Sequence, residues 1–425
     1  MKNKRINKIM LLTLVVGCLL GGCKQGGDAS TIVIEQGAAG QADNQPEGQN
    51  AAGQEDAVEQ TEGQNATGDS DNLATDDHEV AELNTTFFDG SEMELWYGKS
   101  NTLIALKGTK LYLYDVKTAN VMAETETEQW ESVKIYPINA GYCAIGLLRQ
   151  NGEAVTEFEN FSGDLMDSEA PRAGLCVFYD DQMKESSRVP LSDMVEDPMM
   201  AVWAVSQNGK QIAYYDFMKG LNLYDLGTST EKQLIDVAAE LSEIQNILTI
   251  DALYFEEDGE HLVFSAQTDQ NQNTVESWGR IGLDGSGLEN HILDQEVGTA
   301  AAYADGRLLY GENSLAYPGT MGYVALETQE QKYFTEVETG SNVRGPEYSE
   351  KGRFFGVTSV AEKSAKISIY QMSDGKQILQ EEINEENEES FFRPPYLYLF
   401  DDLNVYLICY GGHDGIPLKV IQHKM

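Results

Sequence analysis

Two stretches of this 425-residue chain carry residue types that could do chemistry. Tyr410-Gly411-Gly412-His413-Asp414-Gly415 sets an imidazole beside a carboxylate on a glycine-rich loop. Such a pair could bind a cation or orient a proton transfer. The same residues also suit a plain connection facing water. Residues 150–172 interleave Glu153, Glu157, Glu159, Asp164, Asp167 and Glu169 with Phe158 and Phe161. That mixture could hold calcium or receive a basic partner, and it equally fits a solvated acidic loop. Phe158, Glu159, Phe161, Asp164, Asp167, His413 and Asp414 together make up a candidate binding face.

Little else suggests catalysis. No Gly-x-Ser-x-Gly elbow, His-Glu-x-x-His pair or calcium-binding helix–loop–helix signature occurs. The five histidines are scattered at 78, 261, 291, 413 and 423, without metal-ligand spacing. Cys143, Cys176 and Cys409 each sit inside an apolar run, and no Cys-x-x-Cys occurs. They read as buried thiols, with Cys143 and Cys176 the one possible pair. No catalytic residue, metal or cofactor is expected.

The elements that must position these loops are strands. Trp203–Leu226 holds three short apolar runs, the first two separated by Ser206-Gln207-Asn208-Gly209-Lys210. Asn-Gly between strand formers marks a hairpin, because both residues take positive φ cheaply. Weaker relatives start near Leu95, Ile135, Tyr254, Ala302, Pro346 and Tyr396, each followed by a third strand-like run. Repeats spaced by roughly 50 residues suit propeller blades. The expected fold is all-β, a seven-bladed β-propeller, with six or eight blades as alternatives. Long insertions fall between second and third strands or between blades, which marks one face as the working face. Residues 228–246 are among them. There Leu234, Val237, Ala238, Leu241 and Ile244 recur at helical spacing and predict a short rim helix. The segment 82–88 is expected to supply the outer strand of the last blade, pairing with residues 418–422 and closing the ring.

Ser206-Gln-Asn-Gly-Lys-Gln-Ile-Ala-Tyr and Glu257-Asp-Gly-Glu-His-Leu-Val-Phe, with Ile281-Gly-Leu-Asp-Gly-Ser-Gly, resemble TolB-type propeller repeats. Leu111-Tyr-Leu-Tyr-Asp-Val-Lys-Thr-Ala-Asn-Val is similar to repeats of quinoprotein-like and tryptophan–aspartate propellers. The resemblance implies a rigid disc that binds a partner.

At the amino terminus Lys2, Lys4, Arg5 and Lys8 precede an apolar run from Ile9 to Leu20. That run is too short to span a bilayer and has the length of a signal-peptide core. It ends in Leu20-Gly21-Gly22-Cys23, which resembles the lipobox of bacterial lipoproteins. The resemblance implies cleavage before Cys23 and acylation of that cysteine. Residues 1–22 are then a signal peptide. Residues 23–80, rich in Gly, Gln, Ala and acids and lacking aromatics, form a disordered tether. Residues 81–425 form the propeller. A formal charge of −41 argues against nucleic acid as a partner. The expectation is a monomer on the outer face of the bacterial cytoplasmic membrane, held there by lipid. Its propeller would bind an unknown protein or glycan. The alternative is a carbohydrate-active enzyme with two carboxylates at the central funnel.

Overall fold

The computed structural model describes residue 87 and residues 93–424, apart from several gaps of which the longest are 149–172, 385–394 and 411–418. These residues all belong to one compact unit, His78–Met425. They form antiparallel sheets that follow one another along the chain, each a simple meander. The first strands are Glu94–Tyr97, Trp130–Ile138, Ala201–Val205, Ile247–Phe255, Ala300–Ala304, Val343–Tyr348 and Tyr396–Leu399. In four of the neighbouring pairs the first strands touch one another, which places them in the innermost layer. This is a β-propeller.

Six of the sheets are complete four-stranded blades, spanning 94–126, 130–190, 201–236, 247–292, 300–334 and 343–384. The last sheet has three strands: Tyr396–Leu399, Val405–Tyr410 and Lys419–Lys424. Among the described residues the expected seventh four-stranded blade is therefore not observed, and the complete blades number six. The segment assigned to the missing strand, 82–88, lies outside the described residues except for Phe87. That residue is in a 3-10 turn, and its ring stacks on Tyr114 with centroids 5.4 Å apart.

Apolar clusters fill the spaces between consecutive sheets. Ile104, Leu111, Val133 and Val177 join the first two blades. Leu221, Ile250 and Phe264 join the third and fourth. Ile367 and Ile369 of the sixth blade meet Leu397 and Ile408 of the three-stranded sheet. Leu407 and Cys409 of that sheet then meet Leu103 and Tyr114 of the first blade, and the ring is closed.

The hairpin at Asn208-Gly209 forms as expected, with Val205 opposite Ile212 and Gly209 at φ 67°. The insertions are where sequence and structure part. Residues 228–246 contain the third blade's fourth strand, Thr230–Asp236, followed by turns, and no rim helix. Glu185–Pro190 and Gln377–Asn384 are likewise fourth strands. The reason is exposure. A fourth strand covers the outer edge of its blade, so most of its side chains face water and carry no apolar run.

Candidate binding site in the central channel

Each first strand supplies at least one aromatic ring to the apolar clusters between sheets, among them Tyr97, Tyr136, Trp203, Tyr254, Tyr303, Tyr348 and Tyr398. Several of them lace neighbouring sheets together through their hydroxyls. Tyr136 donates to the Trp203 carbonyl at 3.1 Å and Tyr254 to the Ala300 carbonyl at 2.9 Å. Tyr398 donates to the Leu95 carbonyl at 3.3 Å, while the Tyr97 hydroxyl accepts from the Leu399 N–H at 2.8 Å. Burial drives the pKa of Tyr97, Tyr136 and Tyr254 far above that of free tyrosine, so these hydroxyls stay protonated.

Three charged side chains also sit on first strands. Lys134 interrupts the buried run Val133, Ile135, Ile138 and is itself solvent-accessible. Its ammonium lies 5.2 Å from the Tyr136 ring centroid. Protein walls around it displace water and push its pKa below the usual lysine value. Glu347 and Arg344 come from the sixth blade's first strand. A bulge at Gly345-Pro346 separates them, where Gly345 has φ 118° and an added Cβ would meet the Gly356 carbonyl at 2.6 Å. Arg344 lies over the Tyr396 ring, 3.2 Å from its centroid, and its Nε is 3.7 Å from Glu347 Oε1. Desolvation raises the Glu347 pKa, with Arg344 pulling the other way. The field of Glu347 reaches Tyr97, Tyr348 and Tyr398, on three different sheets. Asp401 also acts on Tyr97. Its carboxylate, however, is engaged by the Ser349 hydroxyl at 2.7 Å and the Lys351 N–H at 2.8 Å.

A second charged cluster lies at the tight-turn end of the fourth blade. Buried Glu256 takes both arms of Arg280 at 2.6 Å each. Asp258 Oδ2 lies 2.6 Å from His261 Nδ1, and Arg280 Nη2 lies 3.4 Å from the same oxygen. Glu256, Asp258 and His261 are close enough to share a metal ion. The Arg280 guanidinium already supplies the positive charge such an ion would bring, so the cluster reads as a brace between strands.

The sequence-derived binding face falls elsewhere. Phe158, Glu159, Phe161, Asp164 and Asp167, together with His413 and Asp414, lie outside the described residues, as does Cys23. Topology nonetheless fixes their attachment points. Residues 149–173 join the second and third strands of the second blade, and 411–418 do the same in the three-stranded sheet. Cys143 and Cys176 are brought together as buried thiols with sulfurs 3.3 Å apart, and burial pushes the Cys409 thiol up to about 12. Among the described residues no helix is long and apolar enough to cross a membrane. Lys134, Arg344 and Glu347 were missed from sequence. The available signal was a charge embedded in a strand-like run, as in Val-Lys-Ile-Tyr and Val-Arg-Gly-Pro-Glu-Tyr.

No family model matches the chain, and neither does any curated protein. Among solved structures it is similar to the β-propeller domain of Cps50 (Swd1) from Myceliophteria thermophila, at 12% identity with a TM-score of 0.48. That match covers 78% of this chain and 96% of the other. It is also similar to hydrazine synthase of Kuenenia stuttgartiensis, at 12% identity with a TM-score of 0.45, over 80% of this chain and 97% of that one.

Proposed function

We propose that the chain is a bacterial lipoprotein, anchored through acylated Cys23 to the outer face of the cytoplasmic membrane. Residues 23–80 act as its tether, and its propeller serves as a binding scaffold for a protein or glycan partner. The observation that carries the binding reading is the closed ring of meander sheets, from which two segments rich in candidate contacts, 149–173 and 411–418, leave as second-to-third strand connections. Such connections share one face of a propeller. The last sheet is read here as a seventh blade, because apolar clusters join it to both neighbours. A strand near residues 83–88 would complete it and cover its edge.

Membrane fractionation of wild type and Cys23→Ala tests the anchor: the variant is expected in the soluble fraction, and membrane retention would overturn the lipobox reading. For the face, residues 150–172 are replaced by a tight turn and intact cells are cross-linked. A surface connection costs little entropy to shorten, so the protein should fold and lose its cross-linked partner.

The rival reading, a carbohydrate-active enzyme, draws support from Glu347, whose raised pKa suits a general acid. Turnover of any polysaccharide that is abolished by Glu347→Gln would establish it.

A further inference from the structure

We propose that Cys143 and Cys176 are a disulfide site, oxidised during folding to a bond that staples the root of the 149–173 connection. This rests on the extracytoplasmic reading above, because disulfides form and persist in that compartment. Cys143 lies on the second strand of the second blade, Gly141–Leu148, and Cys176 on the third, Gly174–Tyr179. Cys176 stands opposite Ile145, so Cys143 is its diagonal neighbour on the same face of the sheet. A diagonal pair is at the far end of the span that a disulfide bridges. The sulfurs have nonetheless met. They are 3.3 Å apart, and a bond needs a further approach of about 1.2 Å. Both side chains are fully buried in the cluster that joins the second and third blades. Cys409 is buried in a different cluster, between the three-stranded sheet and the first blade, so among the described cysteines the fold offers one pairing.

The step is a thiol–disulfide exchange with an oxidising protein disulfide. One cysteine of the pair attacks a sulfur of the oxidant, and the other then displaces it from the mixed disulfide. The Sγ–Sγ bond forms, the oxidant's S–S bond breaks, and its two sulfurs leave as thiols carrying the two protons. Exchange needs access, so it precedes closure of the apolar cluster around the pair. Afterwards burial separates the bond from reductants. Burial also raises the Cys143 thiol well above its ordinary range, so a pair that folds while reduced is slow to form the attacking thiolate. The bond has a structural consequence. It encloses the whole connection that leaves after Leu148 and returns at Gly174, so a cut in that connection leaves the two parts of the protein covalently joined.

The test starts from full-length protein extracted in detergent after its cellular fraction has been recorded. It is unfolded in guanidinium with iodoacetamide and without reductant, and its cysteine peptides are identified by mass spectrometry. Cys409 should be alkylated, while Cys143 and Cys176 should appear in one linked pair of peptides. In a second sample a protease site is inserted between Gly152 and Glu153. After cleavage the two parts should run as one species on a denaturing gel and separate fully when dithiothreitol is added. Cys143→Ala in that background should separate them without dithiothreitol. Alkylated Cys143 and Cys176 in protein from the membrane fraction overturn the disulfide and leave the anchor standing. Alkylated thiols in protein found inside the cell overturn the extracytoplasmic reading and the disulfide with it. Linked peptides in protein released outside the cell support the disulfide and count against the anchor alone.

Discussion

The third and fourth blades build their first hairpin on the same backbone frame and fill it with different chemistry. Gly209 and Gly259 occupy the same turn position at φ 67° and 68°. Three residues earlier the third blade has Ser206, whose hydroxyl accepts from the Gln211 N–H at 2.9 Å and the Lys210 N–H at 3.2 Å. The fourth blade has Glu256 there. Opposite the third residue of the second strand, the third blade has buried Leu223 and the fourth has Arg280. The sixth blade follows the third, with Ser349 and Ile369. The two positions therefore change together. A small hydroxyl goes with an aliphatic residue, and a long acid goes with arginine. The frame tolerates either pair and should reject a mixture.

The largest expected effect comes from making that mixture. Glu256→Ser removes the buried acid that takes both arms of Arg280 and leaves it only the 3.4 Å contact with Asp258. Removing one partner of a fully buried pair costs about 3–5 kcal/mol, and the partial exposure of Arg280 should reduce this to about 2 kcal/mol. Adding Arg280→Leu imports the third blade's solution and should recover most of the loss. Urea unfolding of both single variants and the double variant measures the coupling. Additive losses would mean that the two positions are independent.

A smaller difference separates the two serine hairpins. Ser206 bonds within its own turn, whereas Ser349 also donates to Asp401 across to the three-stranded sheet at 2.7 Å. Ser349→Ala should cost about 1 kcal/mol more than Ser206→Ala, because a hydrogen bond to a charged acceptor is lost as well. Equal losses would show that Asp401 finds another donor at no expense.

The turn glycines offer a finer comparison. An alanine at either position pays about 1–2 kcal/mol for left-handed backbone. At Gly259 the new Cβ meets nothing within 4 Å, but at Gly209 it comes to 2.8 Å from Ile138 Cδ1. Gly209→Ala should therefore lower the melting temperature further than Gly259→Ala does. The reverse order would place the third blade's hairpin farther from its neighbour than described.

These contrasts also mark what could be read from the chain. Hairpin turns are local, so Asn208-Gly209 and Asp258-Gly259 announce themselves, and third strands such as Leu221–Asp225 are flagged by their buried run. Fourth strands escape because one edge of a blade needs no apolar face. Thr230–Gln233 are all exposed, and only the tail of that strand, Leu234 and Ile235, turns inward. The helical spacing from Leu234 to Ile244 was misleading for a related reason. A chain of turns can also return side chains to one side, and Val237, Leu241 and Ile244 pack into the cluster between the third and fourth blades. The contacts that close the ring could not be read at all. Tyr97 and Tyr398 lie about three hundred residues apart in sequence, and only closure of the ring brings their centroids to 5.5 Å.

Where the two blades agree, the smallest effect is expected, and pH exposes it. Both use an aspartate to hold the turn between third and fourth strands. Asp225 accepts from the Thr228 N–H and hydroxyl, each at 2.9 Å, and Asp284 accepts from the Ser286 hydroxyl at 2.6 Å and N–H at 2.8 Å. Those bonds favour the ionised form. The Thr228 N–H lowers the Asp225 pKa, and the Ser286 hydroxyl lowers that of Asp284. A carboxylate with a depressed folded-state pKa contributes stability above its unfolded pKa of about 3.9, and that contribution fades as pH falls through the folded value. Asn at either position keeps an acceptor but cannot titrate. Asp225→Asn and Asp284→Asn should thus melt slightly below wild type near neutral pH, and the gap should close in acid by the same amount in both blades. A gap that stays constant from about pH 7 to about pH 3 would mean that the carboxylate charge plays no part in the turn. A gap that closes for one blade alone would extend the hairpin contrast to the outer turns.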